Sequence, residues 1–148
     1  MMNRRYVPDL PEQNALSEAN FLRLEKLLGG LKNSHYDFQW FGRNNEPVQV
    51  HAEIIERFKF TSTVNLIKQN SALPKPMDRV QLTIRMYHDA RMAEVVTWDS
   101  GRQLSGVYPY PNDRMYQIDE KAQANVFLGE WLAHLLRHGV AEREWTPS

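Results

Sequence analysis

The chain contains no cysteine, which excludes disulfides and thiolate-bound metals and fits a reducing compartment. It carries no net charge either. Eighteen Lys and Arg balance eighteen Asp and Glu, so no long-range field draws the molecule to nucleic acid or anionic lipid, and nucleic acid is not an expected partner. No stretch approaches the roughly 18 continuous apolar residues of a membrane span. The N-terminal MMNRRYVPDLPEQ has two arginines but no apolar run behind them, unlike a signal peptide. Also lacking are the GxSxG elbow, the Walker loop, GxGxxG and HExxH. These absences lead us to expect a soluble cytoplasmic protein. Its 148 residues read as a single domain (1–148), large enough to bury roughly 68 to 70% of its unfolded surface. Residues 1–8 and 142–148 read as flexible tails.

What is present is a two-residue period. Val80, Leu82, Ile84 and Met86 alternate with Gln81, Thr83, Arg85 and Tyr87, a turn falls at His88 to Arg91, and Met92 to Val96 return. Laying Ile84 opposite Val95 on the apolar side sets Arg85 opposite Glu94 on the other, a cross-strand charge pair that supports this register. Tyr36, Phe38 and Trp40 form one side of an earlier strand, and GRNNEP (42–47) supplies the turn after it. Val48, Val50, Ala52 and Ile54 follow, then a third strand around Phe60 to Ile67. Glu56 to Lys59 contain no Gly or Pro, so a single bent strand with a bulge is the other reading there. NSALPKPMD (70–78) is a loop, since its prolines exclude a central strand.

Helices flank the strands. Asp9 reads as the N-cap of a helix running to about Leu28 and stopped by Gly29 and Gly30. Leu16, Phe21, Leu24, Leu27 and Leu28 share an arc of about 140°, and Asn20 lies within it. Near the C-terminus, Asp119 reads as the cap of a long helix closing with Arg137, His138 and Gly139. Its apolar arc holds Ala124, Phe127, Leu128, Trp131, Leu132, Leu135 and Leu136, with Lys121 and Asn125 near its start. The expected fold is α+β: a single antiparallel sheet of about five strands in meander order, packed on one face by N-terminal and long C-terminal helices. A curved sheet gripping the last helix is the alternative.

Candidate site residues gather around the start of that last helix. Asp119, Glu120, Lys121, Gln123 and Asn125 concentrate charge and amides where free backbone N–H groups would point outward. Arg85, Asn112, Lys121 and Asn125 are candidates to line a ligand or partner site, with Tyr108 and Tyr110 as flat contacts. Glu94, Asp89 and His88 are the candidate proton carriers of an enzyme reading. The competing structural reading of the same residues is a polar network tying helix, loop and hairpin together. His51 and Glu53 share one face of a strand, which reads as a wet sheet face. His134 and His138 stand four apart, but no third ligand accompanies them, so neither metal nor cofactor is expected.

The segments YVPDLP with Glu18, Asn20 and Phe21, then RMYHDARMAEV, YPYPN, and Gln117, Asp119, Glu120, Lys121, Gln123, Asn125, Phe127, Leu128, Trp131 and Leu132 resemble the YqiB-like family of uncharacterised bacterial proteins. The resemblance spans nearly the whole chain. It implies no mechanism, and Tyr116 departs from a histidine that it implies in some members. From the residues, the expected function is a noncatalytic domain binding a small molecule or protein, with a homodimer left open. The alternatives are a small hydrolase or transferase acting on a nucleotide-like compound and an RNA binder stacking bases on Tyr36, Phe38 and Trp40.

Overall fold

A computed structural model describes residues 10–42, 44–75, 77–99, 113–138 and 140–141. Helix α1 (Leu10–Leu27) precedes strands β1 (His35–Phe41), β2 (Pro47–Arg57), β3 (Thr61–Asn70), β4 (Arg79–Tyr87) and β5 (Met92–Asp99). Helix α2 (Asp113–His138) and a two-residue strand β6 (Val140–Ala141) follow. Strands β1 to β5 form the antiparallel meander, and β6 adds to the outer edge of β1, giving the order β5-β4-β3-β2-β1-β6. The fold is thus the expected α+β arrangement, with one short strand beyond it. The Asp9 cap, the Asp99–Gly101 turn (beyond Asp99), the proline-rich 108–112 segment, Gly139 and both tails lie outside the described residues.

The period of two decides which face is buried. Val50, Ala52 and Ile54 of β2, Val64 and Leu66 of β3, Leu82, Ile84 and Met86 of β4, and Ala93 and Val95 of β5 are all buried in one core, and Val48 is buried on the same side. The pairing joins Ile84 to Val95 and Arg85 to Glu94, the register the alternation implies. A shift between Thr83 and Ile84 places a bulge at Val96. Between β2 and β3 both readings hold in part: a tight turn at Phe58 to Phe60, where Phe58 N–H donates to Thr61 O (2.8 Å), separates two strands, and a bulge between Ile54 and Glu56 bends β2.

Phe21, Leu24 and Leu28 of α1 and Leu128, Trp131, Leu132 and Leu135 of α2 cover the apolar face. Gly30 N–H bonds back to Glu25 O (3.2 Å), and Gly29 and Gly30 have φ of 56° and 78°, the left-handed ending that glycine adopts without a Cβ clash. Phe127 and Leu136, placed on the apolar arc of α2, stay 38% and 39% exposed, at the rims of the buried stripe. Phe38 is 5% exposed, and Tyr36 and Trp40 pack against the core. Their period of two places them under the helices, so they do not form an open stacking platform.

Asn20 is fully buried where the helices meet. Its amide nitrogen donates to the Asn125 carbonyl (3.2 Å), and its oxygen accepts from Arg23 Nη1 (2.9 Å). Opposite it stands Gly129, where an added Cβ would lie 3.1 Å from Asn20 Oδ1 and 3.3 Å from Leu16 Cδ1. Glycine inside a helix costs roughly 0.5–1 kcal/mol against alanine, and here it lets α1 approach closely enough for the Asn20 bond.

Lys68 is the one charged residue of β3 that points to the covered side, level with Val50 and Val80. Its ammonium lies 5.1, 5.9 and 5.9 Å from the ring centres of Trp131, Trp40 and Phe127. Burial pushes its pKa below the usual lysine value, while the three ring faces favour the charge.

Two outcomes follow. Asn20→Ala, which removes the bonds to Asn125 O and Arg23 from a fully buried position, lowers stability by about 1–3 kcal/mol in urea denaturation. Lys68 holds its proton less well folded than unfolded, so it adds stability as pH rises from the folded pKa towards 10.5 and loses it as pH falls. Lys68→Met therefore gains less stability between neutral and alkaline pH than the parent chain does.

Candidate functional site

The residues marked on the hairpin and the last helix divide into three places. The first is the free edge of β5. Arg85 and Glu94 pair on the face of the sheet away from α1 and α2, and Tyr87, on the same side of β4, donates its hydroxyl to Glu94 Oε2 (2.7 Å). Lys121 reaches from α2 to within 3.1 Å of Glu94 Oε1. One turn further along the helix, Asn125 Oδ1 accepts the Val95 N–H (2.9 Å), and its amide nitrogen donates to Lys121 O (2.9 Å). The edge strand, whose outward N–H groups would otherwise be open to pairing, is thus bonded to a helix.

These contacts set the electrostatics. Burial alone would raise the Glu94 carboxyl, but the Tyr87 hydrogen bond, the Lys121 ammonium and Arg85 together hold it below its usual value. Burial raises the Tyr87 phenol, and the Glu94 hydrogen bond and charge raise it further against the opposing effect of Arg85. A carboxylate held ionised between a phenol and an ammonium is a fixed charge rather than a group poised to take up a proton at neutral pH.

The second place is the hairpin tip, where His88 and Asp89 part company. His88 Nε2 lies 2.8 Å from Ser62 Oγ, and its ring meets the edge of Phe21 with centroids 5.8 Å apart. Asp89 is exposed and accepts the N–H of Ala90 in its own turn (2.9 Å). Neighbouring strand-end side chains diverge, so the sequence neighbours do not act as a pair.

The third is a cavity of about 270 Å³ between α2 and the β4/β5 end of the sheet. Val80, Leu82 and Trp98 form one wall and Ala124, Val126 and Phe127 the other, with Glu120, Gln123 and Glu130 at the helix side. Of these, Glu120 and Gln123 were marked as candidate site residues. Trp98 was not, although its place on the apolar side opposite Leu82 follows from the hairpin register once the bulge is known.

The helix carrying these residues begins at Asp113, six residues before Asp119. Residues 113–118 contain neither Gly nor Pro, and the acidic pair at 119–120 imitated a first turn. Asp119 to Asn125 therefore lie inside the helix, where backbone N–H groups are bonded to the preceding turn and offer nothing to a ligand. The side chain of Asp119, and Tyr108, Tyr110 and Asn112 entirely, lie outside the described residues. Among the described residues no helix is long and apolar enough to cross a membrane.

Comparison with known sequences returns a family model described as "Protein of unknown function (DUF1249)", matched by residues 23–141. The chain is 34% identical over 147 residues to "Uncharacterized protein YqiB" of Escherichia coli strain K12, covering 93% of this chain and 95% of that protein. The proteins of the same name from E. coli O6:H1 and O157:H7 match to the same extent. No solved structure matches.

The edge cluster separates structural bonds from surface charge. Asn125→Ala leaves the Val95 N–H without its acceptor and costs about 1–3 kcal/mol. Lys121→Met costs about 0.2–1 kcal/mol, because Lys121 and Glu94 are 43% and 32% exposed. Glu94, with its lowered pKa, contributes stability above its unfolded value that is lost as pH falls through the folded one. Urea titrations at pH 7 and in acid show the Lys121→Met deficit at pH 7 shrinking once Glu94 is protonated.

Proposed function

The chain belongs to the DUF1249 family, and from its geometry we propose that it is a noncatalytic cytoplasmic binding domain. Its ligand is a small, flat, largely apolar molecule bearing a hydrogen-bond donor or positive charge. The observation that carries this is the cavity under Trp98. Apolar and aromatic side chains line it, and two carboxylates and an amide from one face of α2 stand beside them to orient a polar end. A wider groove between α1 and α2, bordered by Arg23, Glu25 and Lys26, is more open and less apolar, and suits a ligand of this kind less well. Its place on the helical surface suits a protein partner, a second copy of the chain included.

The hydrolase or transferase alternative draws less support. Its candidate proton carriers are Glu94, engaged by Tyr87 and Lys121; His88, engaged by Ser62; and Asp89, turned to its own loop. None of the three lines the cavity.

Titrating the labelled protein with nucleosides, aromatic amines and other basic heteroaromatics, followed by amide and indole NMR signals, tests the proposal. Saturable shifts centred on Trp98 and Gln123, abolished in Trp98→Ala with its circular dichroism retained, are expected. Shifts confined elsewhere, or turnover of a bound nucleotide, would overturn it.

A further inference from the structure

On the face of the sheet away from α1 and α2, β1 and β2 pair His35 with Glu53 and Asp37 with His51. Because His51 and Glu53 are two apart on one strand, and His35 and Asp37 two apart on its neighbour, all four side chains rise from the same side. A ring nitrogen of His35, a ring nitrogen of His51 and a carboxylate oxygen of Glu53 lie within 4.8 Å of one another. Among the described residues this is the one group of three such ligands. The two imidazoles stack with centroids 5.6 Å apart.

From this arrangement we propose that His35, His51 and Glu53 bind a divalent cation of the zinc type. Two imidazoles and a carboxylate, with no thiolate, suit a borderline cation better than calcium or magnesium, which favour all-oxygen sites. Ligand atoms sharing such an ion stand roughly 3–3.5 Å apart, at bonds of about 2.0–2.2 Å. The group therefore has at most about 1–2 Å to close on binding, a movement open to side chains that are exposed at His35 and half-buried at His51 and Glu53.

Asp37 supplies the support that metal-bound histidines need. Its Oδ1 lies 2.5 Å from His51 Nδ1. A proton held on Nδ1 by that carboxylate leaves the lone pair on Nε2, fixing both tautomer and ring orientation. With three protein ligands the ion keeps at least one position open, so the site could hold a further anionic or water ligand. It is independent of the cavity under Trp98, which opens on the other face of the sheet.

The test uses the full chain stripped with EDTA and titrated with Zn²⁺ by calorimetry, with histidine ring signals followed by NMR. We expect one equivalent bound, with the imidazole signals of His35 and His51 moving together. His35→Ala/His51→Ala abolishes binding, His134→Ala/His138→Ala retains it, and Asp37→Asn weakens it about 10- to 100-fold. The ring signals of the parent chain decide the matter even if a variant folds poorly. No saturable binding, ring shifts confined to His134 and His138, or undiminished binding by the folded His35→Ala/His51→Ala chain would overturn the proposal.

Discussion

A sheet whose strands alternate strictly has one apolar side, and that side must be removed from water. Everything else in this chain is arranged around that requirement. The buried set from Val50 to Val95 is continuous across β2, β3, β4 and β5, and α1 and α2, laid over it, complete the core. Once α1 and α2 occupy that side, the polar residues that alternate with the apolar ones are committed to the other, while Lys68 and Ser62 of β3 stay on the covered side. Arg85, Glu94, Asn65, Thr83, His51 and Glu53 share a face for no reason beyond parity. Neighbours there satisfy one another where they can, as Thr83 Oγ1 does with Asn65 Oδ1 (2.8 Å) and Thr63 Oγ1 with Glu56 Oε1 (2.9 Å).

Covering a face leaves the edges, and the two edges are closed differently. At β1, the chain emerging from α2 pairs as β6, joining Phe38 to Ala141 and Gln39 to Val140. At β5, helix α2 offers Asn125 and Lys121 instead of a strand. The same helix is therefore core lid, edge cap and, through Asn125 O, the anchor for buried Asn20. That economy explains why polar residues sit inside its apolar arc. Asn125 faces a backbone donor rather than solvent, and its presence there reflects the strand beneath it.

Local periodicity made much of this legible. The Ile84/Val95 and Arg85/Glu94 register could be laid out because the turn is short and the alternation unbroken, and the stop at Gly29–Gly30 was visible because glycine supplies what the backbone needs. The start of α2 was misread because Asp119 and Glu120 carry a first-turn signature at a position where residues 113–118 already continue the helix. The bulge at Val96, which decides where Trp98 points, left no mark in composition. Lys68 was passed over because its three aromatic neighbours come from β1 and α2, far along the chain. By contrast the His35–Glu53 and Asp37–His51 pairs could have been found. The GRNNEP turn is centred between β1 and β2, so folding the two strands about it fixes their partners.

The two chemically suggestive places lie on opposite sides of one sheet. The cavity under Trp98 uses Val80 and Leu82, whereas the imidazole group rises from odd-numbered positions of β1 and β2. Side chains pointing to opposite faces cannot converge on one small ligand, so these places do not form the two halves of a single reaction centre. One path between them runs through strand pairing. The row running from His51 through Ile67 to Gln81 and on to Asp99, next to Trp98, is the shortest such path. Ile67 and Lys68 are sequence neighbours on opposite faces, so a shift of β3 under one site would be felt by the aromatic cluster that holds α2 down over the other. Whether a ligand on the open face alters the covered cavity is thus set by how firmly β3 is held, and it is paired along its length on both sides. A strand so placed transmits little displacement, which favours two sites that act separately.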